Sequence, residues 1–255
     1  MAIGSKDGIA AGRWLRHLKR HIPVARAGLD PEGAHQMRVA IARLRVWVAL
    51  GGRRSLDKDL RRLRDRIGLV RDLDVQLQHE PPPSLVAALR RRHDRAHREL
   101  VATLDDARLP SLLAALSRLP PVPSARARSM VPSMSRRVLR RARAAKRHGH
   151  DLDSLHRLRC AVRRLRFALE WLGSETADLV KVQDLLGEAC DFSVALQSLG
   201  RRRGRRVRRY REELVRARRR AEHEARIAFR HVRPRLEELA SRTEDVARRH
   251  RKKAV

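Results

Sequence analysis

Apolar residues recur at i, i+3, i+4 and i+7 through long stretches of Ala, Leu, Arg and Glu, and period-two alternation is nearly absent. This spacing predicts an all-α protein. Proline and glycine set the boundaries of helices expected near 9–27, 31–50, 55–78, 84–106, 110–119, 125–147, 152–172, 175–199, 204–232 and 234–250. The segment Pro120–Pro123 (PPVP) reads as a linker. Asp30-Pro31-Glu32 is a helix start: Asp caps orphan N–H groups, Pro suits the first helical position, and Glu complements the dipole. Glycines at 28, 51, 52, 149 and 173 fall where helices stop.

The pattern repeats. Sliding residues 16–52 by 121 positions pairs Arg16 with Arg137, Leu18 with Leu139, Arg20 with Arg141, Gly28 with Gly149, Asp30 with Asp151 and His35 with His156. The register continues through Arg38/Arg159, Ala40/Ala161, Arg43/Arg164, Leu44/Leu165, Arg45/Arg166 and Gly52/Gly173. A shift of 119 then aligns LRRLRDRIGLVRDLDVQLQ (60–78) with LVKVQDLLGEACDFSVALQ (179–197), pairing Asp65/Asp184, Gly68/Gly187 and Asp72/Asp191. Arginine-rich sequence matches itself by chance, but chance does not keep Asp, His and Gly in register. The expectation is a duplicated helical unit: residues 1–119, a linker at 120–124, and residues 125–255, two bundles related by a pseudo-twofold axis around a basic central pore or groove.

At 100° per residue, with His35 at 0°, Arg38 and Arg45 fall at about 300° and 280°, while Met37, Ile41, Leu44 and Val48 fall at about 180–240°. His156, Arg159, Arg163 and Arg166 occupy the same stripe in the second copy, beside Leu158, Val162, Leu165 and Leu169. A merely solvated face uses Lys, Glu or Gln freely. A repeated His/Arg stripe next to the core face instead suits anion binding, because the planar guanidinium fork makes bidentate bonds to phosphate. Arg16, Lys19 and Arg20 match Arg137, Arg140 and Arg141, and Arg62 and Arg64 match Lys181 and Gln183; these are flanking basic candidates. Asp65/Asp184 and Asp72/Asp191 are expected to orient arginines rather than bind metal. The run RRRGRRVRR (201–209) suits a solvated helix start as well as a ligand contact.

Charge sharpens this picture. The 255 residues carry 61 Lys+Arg against 29 Asp+Glu, a net charge of +32, and all but seven of the basic residues are arginine. Such a chain needs a polyanionic partner, and its 42% hydrophobic content excludes a wholly disordered polycation. No apolar run approaches the ~20 residues needed to span a bilayer. The first 14 residues carry no secretory h-region, and two cysteines build no disulfide framework, so a reducing cytoplasm is expected. His17/His21 and His93/His97 have metal-ligand spacing, but neither has an acidic or cysteine ligand nearby in sequence, so no metal is expected. Cys160 and Cys190 read as helix-packing residues. Phosphoanhydride hydrolysis needs metal held by carboxylates, which are scattered here, so neither enzyme activity nor a cofactor is expected. At low salt a +32 chain binds DNA or RNA whatever its true ligand. Three Trp, one Tyr and three Phe make poor stacking platforms, and no recognition helix stands out.

DPEGAHQMRVAIARLRVWVAL and LHRLRCAVRRLRFALEWL resemble the paired signatures of the CHAD domain, and LRDRIGLVRDLDVQL and KVQDLLGEACDFSVAL resemble that family's LQDxLGxxxD helix. The resemblance covers roughly residues 10–240. It implies two helical bundles around a basic pore, binding of inorganic polyphosphate, and association with polyphosphate granules. The positions it carries over are His35, Arg38 and Arg45, then His156, Arg159, Arg163 and Arg166; Arg43 and Arg164 belong to the motif without needing to line the pore. Three positions depart: Ala42 replaces a basic residue, Cys190 a polar one, and Phe167 a tyrosine. Many relatives carry a triphosphate-tunnel domain; Glu222-His223-Glu224-Ala225-Arg226 is a near-match to its ExExK element, but it lies in helix-period sequence.

Overall fold

A computed structural model describes residues 8–149 and 151–252, so the outermost residues of both expected repeats, and the first seven residues in which no secretory h-region is expected, lie outside the described residues. The described chain is all-α, with helices α1 (Gly12–Ala27), α2 (Pro31–Leu50), α3 (Arg54–Gln78), α4 (Pro83–Asp105), α5 (Arg108–Arg118), α6 (Ser124–Arg147), α7 (Leu152–Trp171), α8 (Ala177–Leu199) and α9 (Arg205–Lys252). They form two compact units. One holds the described residues up to Pro123 together with Arg202–Tyr210; the other holds Ser124–Arg201 and the chain from Arg211 onward.

In the first unit α1 packs on α2, α2 on α3 and α3 on α4, with α5 against α1, α3 and α4. The apolar stripe read from the sequence becomes its core: Met37, Ile41, Leu44 and Val48 of α2 are fully buried, with Leu18, Leu60, Ile67, Leu89 and Leu100. Asp30 caps α2, accepting from Glu32 N–H at 2.8 Å, and Pro31 occupies the first turn. Gly28 ends α1 in the left-handed region, φ 68°, which non-glycine residues rarely adopt. Three residues into α2, Gly33 lies so close to α1 that a Cβ there would sit 2.5 Å from Ala25 N.

Sequence periodicity did not reveal how this unit is closed. The first helix was expected from residue 9; instead Ile9 and Val122 form an antiparallel bridge, Ile9 N–H donating to Val122 O at 2.8 Å and Val122 N–H to Ile9 O at 3.0 Å. Trp47 of α2 donates its indole N–H to the same Ile9 carbonyl at 2.7 Å. The PPVP segment is therefore pinned at Val122, which is 4% exposed.

In the second unit α6 packs on α7 and α7 on α8. Asp151 caps α7 through Ser154 N–H at 2.7 Å, as Asp30 caps α2. Buried Val138, Leu155, Leu158, Val162, Leu165, Leu169, Val182 and Leu186 meet Ala221, Ala225, Ala228, Val232, Leu236 and Leu239 of α9. Those last six positions correct the expected break at residue 233. The helix runs through Pro234, although an interior proline costs ~3 kcal/mol or more. Val232, Leu236 and Leu239 keep the same face buried on both sides of it. Glu222–Arg226 lies within this helix, so the ExExK-like element has no strand to sit on.

Candidate functional site

Each expected basic stripe lies on one helix, α2 or α7, beside the face that its unit buries. The α2 stripe begins with His35 and Arg38, both half-buried. Arg38 Nη1 donates to Asp72 Oδ1 of α3 at 2.7 Å, so Asp72 orients an arginine, as its place in the repeat implied. Arg45, about two turns further along, is held differently. Its Nε and Nη2 donate to Asp57 at 2.7 and 3.3 Å, and its side chain is 11% exposed. Burial alone would raise the Asp57 carboxyl, but hydrogen bonds from Arg45 and Arg61 outweigh it and hold Asp57 below its ordinary range. Arg45 thus spends two of its donors inside its own unit.

On α7, Arg159 and Arg163 are half-buried and His156 is exposed. Arg159 lies along α8 over Gly187, where a Cβ would sit 3.2 Å from both its Nε and Nη2. The glycine of the LLGEACD motif therefore makes room for a guanidinium, whereas a Cβ on Gly68 would meet nothing within 4 Å. Arg159 Nε is buried with no hydrogen-bond partner. Such a donor is rare in folded proteins, and Arg166 Nε and Arg218 Nε share the condition. Arg166, like its counterpart Arg45, is turned inward: it is 8% exposed, its Nε is 3.1 Å from Glu170 without hydrogen-bond geometry, and its guanidinium covers the Phe167 ring at 4.6 Å. Burial pushes the Arg166 guanidinium below its ordinary value, with Glu170 and Asp184 only partly opposing it.

Among the flanking candidates, Arg16, Lys19 and Arg20 of α1, Arg137 and Arg140 of α6 and Lys181 of α8 are exposed, and Arg141 is half-exposed. Arg62 turns to Asp106 at the α4–α5 junction, 3.5 Å away, rather than to α2. Arg64 pairs with its neighbour Asp65 at 2.6 Å. Arg43, on the opposite flank of α2, covers the Trp14 ring at 4.2 Å. Arg201, Arg202, Arg203, Arg205, Arg206, Arg208 and Arg209 are all exposed.

The two stripe histidines differ in proton affinity although the repeat pairs them. Burial, then Arg71 and Arg38, push His35 below the usual imidazole value, with Glu32 opposing. Hydrogen bonds with Cys160 and then Cys190 raise His156 to about 9 despite burial. Two positions separate them: Cys160 stands where the repeat places Val39, and Cys190 where it places Arg71. At pH 7 His35 is neutral and His156 is charged. The raised His156 adds stability that is full below the ordinary imidazole value and lost as pH rises toward 9. The depressed His35 adds stability present above that value and lost as pH falls through its folded midpoint. A two-dimensional NMR titration of the imidazole carbons is expected to show one midpoint below 6.5 and another near 9, assigned by His35→Gln and His156→Gln. Coincident midpoints near 6.5 would contradict these environments.

The HxxxH pairs are absorbed by local bonding. His17 Nε2 bonds Gln36 Oε1 at 2.8 Å, and His97 Nε2 donates to the Ala25 carbonyl at 3.1 Å. His93 has an acidic neighbour that linear spacing could not show: Asp74, 19 residues away, 2.8 Å from Nε2. Among the described residues no group of three or more His, Cys, Asp or Glu is arranged to hold a metal ion. Nor is any described helix long and apolar enough to cross a membrane.

The family model described as CHAD domain matches residues 9–200, ending before α9. The crystal structure of the CHAD domain from the plant Ricinus communis is similar at TM-score 0.66 and 24% identity, covering 84% of this chain and 89% of that one. PptA from Streptomyces chartreusis is similar at TM-score 0.60 and 15% identity, covering 88% of this chain and 98% of that one. No curated protein matches the sequence. At these identities the structural likeness speaks for the fold.

Proposed function

Because the chain belongs to the CHAD domain family, we propose that it binds inorganic polyphosphate without chemical change, through His35 and Arg38 of α2 and His156, Arg159 and Arg163 of α7. The observation that carries this reading is Arg159: a buried guanidinium nitrogen with no acceptor, on a stripe whose repeat mate Arg38 is braced by Asp72. Arg45 and Arg166 act as inner supports, since carboxylates of their own units already engage them. The exposed Arg16, Arg20, Arg137 and Lys181, with the half-exposed Arg141, add long-range attraction. Arg62, paired with Asp106, contributes least of the flanking set. On this reading the protein acts as a binder rather than an enzyme, needs no cofactor, and associates with polyphosphate granules in the cytoplasm.

Sequence-nonspecific nucleic-acid binding is the competing reading, favoured by the exposed arginine run at 201–209. Titration of the purified protein with long-chain polyphosphate and with duplex DNA at near-physiological salt separates the two. Tighter binding of polyphosphate, weakening steeply as salt rises, is expected. DNA bound as tightly as polyphosphate would overturn the proposal.

A further inference from the structure

Three residues of the α7 phosphate stripe, His156, Arg159 and Arg163, also surround a thiol that phosphate binding does not use. Cys160 is half-buried on α7, one turn beyond His156, and Cys190 is buried on α8. His156 Nε2 and Cys160 Sγ share a hydrogen bond at 3.5 Å, and Arg163 Nη2 donates to the same sulfur at 3.8 Å. The groups that bear on this sulfur are thus His156, Arg159 and Arg163 of α7, while Cys190 of α8 bears on the imidazole. No equivalent exists in the first unit, where the repeat places Val39 and Arg71 at the two cysteine positions.

We propose that Cys160 is a modification site, a nucleophilic thiolate paired with the His156 imidazolium and open to small electrophiles such as hydroperoxides and haloacetamides. A sulfur that receives two cationic donors and remains partly exposed has the environment of a reactive thiol, whereas Cys190, 3% exposed among packed side chains, is inert. With hydrogen peroxide as oxidant, the Cys160 sulfur attacks one peroxide oxygen. The S–O bond forms as the O–O bond breaks, and the departing oxygen takes the His156 proton and leaves as water. Sulfur is oxidised to the sulfenic acid, peroxide is reduced, and the imidazole is left neutral. With iodoacetamide, an S–C bond forms and iodide leaves.

Burial would push the Cys160 thiol up, but the hydrogen bond from His156 and the charges of Arg163, His156 and Arg159 bring it down to about 6. Thiolate and imidazolium titrate as a pair. A low thiol pKa also lowers intrinsic nucleophilicity, so the pH midpoint of reaction is a sharper readout than the rate at one pH. The test is iodoacetamide labelling of the intact protein from pH 5 to 10, with each cysteine peptide quantified by mass spectrometry. Cys160 labelling is expected to rise with a midpoint near 6, and at pH 6 to exceed that of an ordinary thiol by about tenfold. Cys190 stays unlabelled until the protein is denatured. In His156→Gln the Cys160 midpoint moves toward the ordinary thiol range of about 8.5. A wild-type midpoint already in that range, an unmoved midpoint in His156→Gln, or faster labelling of Cys190 would overturn the proposal. The wild-type profile decides without relying on any variant's folding.

Discussion

Replacing Arg38 and Arg159 together by alanine is expected to weaken polyphosphate binding on the order of a hundredfold or more. Each removes a charge-assisted hydrogen-bond donor worth about 1.5–3 kcal/mol, and the two act in separate units, so their losses add to about 3–6 kcal/mol. Arg201→Ala with Arg202→Ala removes the same formal charge from exposed positions. Exposed charges of this kind are worth about 0–1 kcal/mol each, so a loss of only a few-fold is expected. Isothermal titration with long-chain polyphosphate at fixed salt measures both pairs. Equal losses would mean that net charge, rather than the braced stripes, does the binding.

The second large effect concerns the fold. Gly33→Val is expected to destabilise the first unit by about 3 kcal/mol or more, because overpacking a rigid contact costs 1–3 kcal/mol and backbone atoms cannot rotate away. A Cβ at Gly33 would lie 2.5, 2.7 and 2.9 Å from Ala25 N, Val24 C and Ala25 Cα, all backbone atoms of α1. Gly68→Ala is the matched control. Its Cβ meets nothing within 4 Å, and alanine in a helix gains up to ~1 kcal/mol over glycine. Urea denaturation followed by circular dichroism is expected to move the two variants in opposite directions. A stable Gly33→Val would mean that α1 and α2 do not meet as closely as described.

The contrast between these glycines shows what the sequence could and could not reveal. Periodicity located the helices and the apolar face of α2, and Asp30-Pro31-Glu32 announced the α2 cap, which its repeat mate Asp151 provides for α7. Each of those features is decided within one or two turns of chain. It could not distinguish Gly68 from Gly187, which occupy the same motif position, because only the second has an arginine laid across it. The stripe geometry placed Arg45 and Arg166 correctly beside the core face. Their partners, Asp57 on the next helix and Glu170 one turn away, turned them inward, and an angle around one helix axis carries no information about a neighbour's carboxylate.

Pro234 shows the opposite error, in which a local rule was trusted over a continuing pattern. Val232, Leu236 and Leu239 preserve helical spacing across the proline, and their burial holds the helix together where propensity alone ends it. The bridge between Ile9 and Val122 links positions more than a hundred residues apart, beyond any windowed reading. His35 and His156, equivalent in the repeat, part company because the second copy has Cys160 and Cys190 where the first has Val39 and Arg71. The repeat therefore conveys where a side chain sits more faithfully than what state it is in.

Diffraction from crystals soaked in tripolyphosphate tests the central claim most directly. The account predicts phosphate oxygens within hydrogen-bond distance of Arg159 Nε and of the Arg38 guanidinium, with Asp72 still bracing Arg38. Phosphate density confined to the exposed arginines at 201–209, with Arg159 Nε still lacking an acceptor, would contradict it.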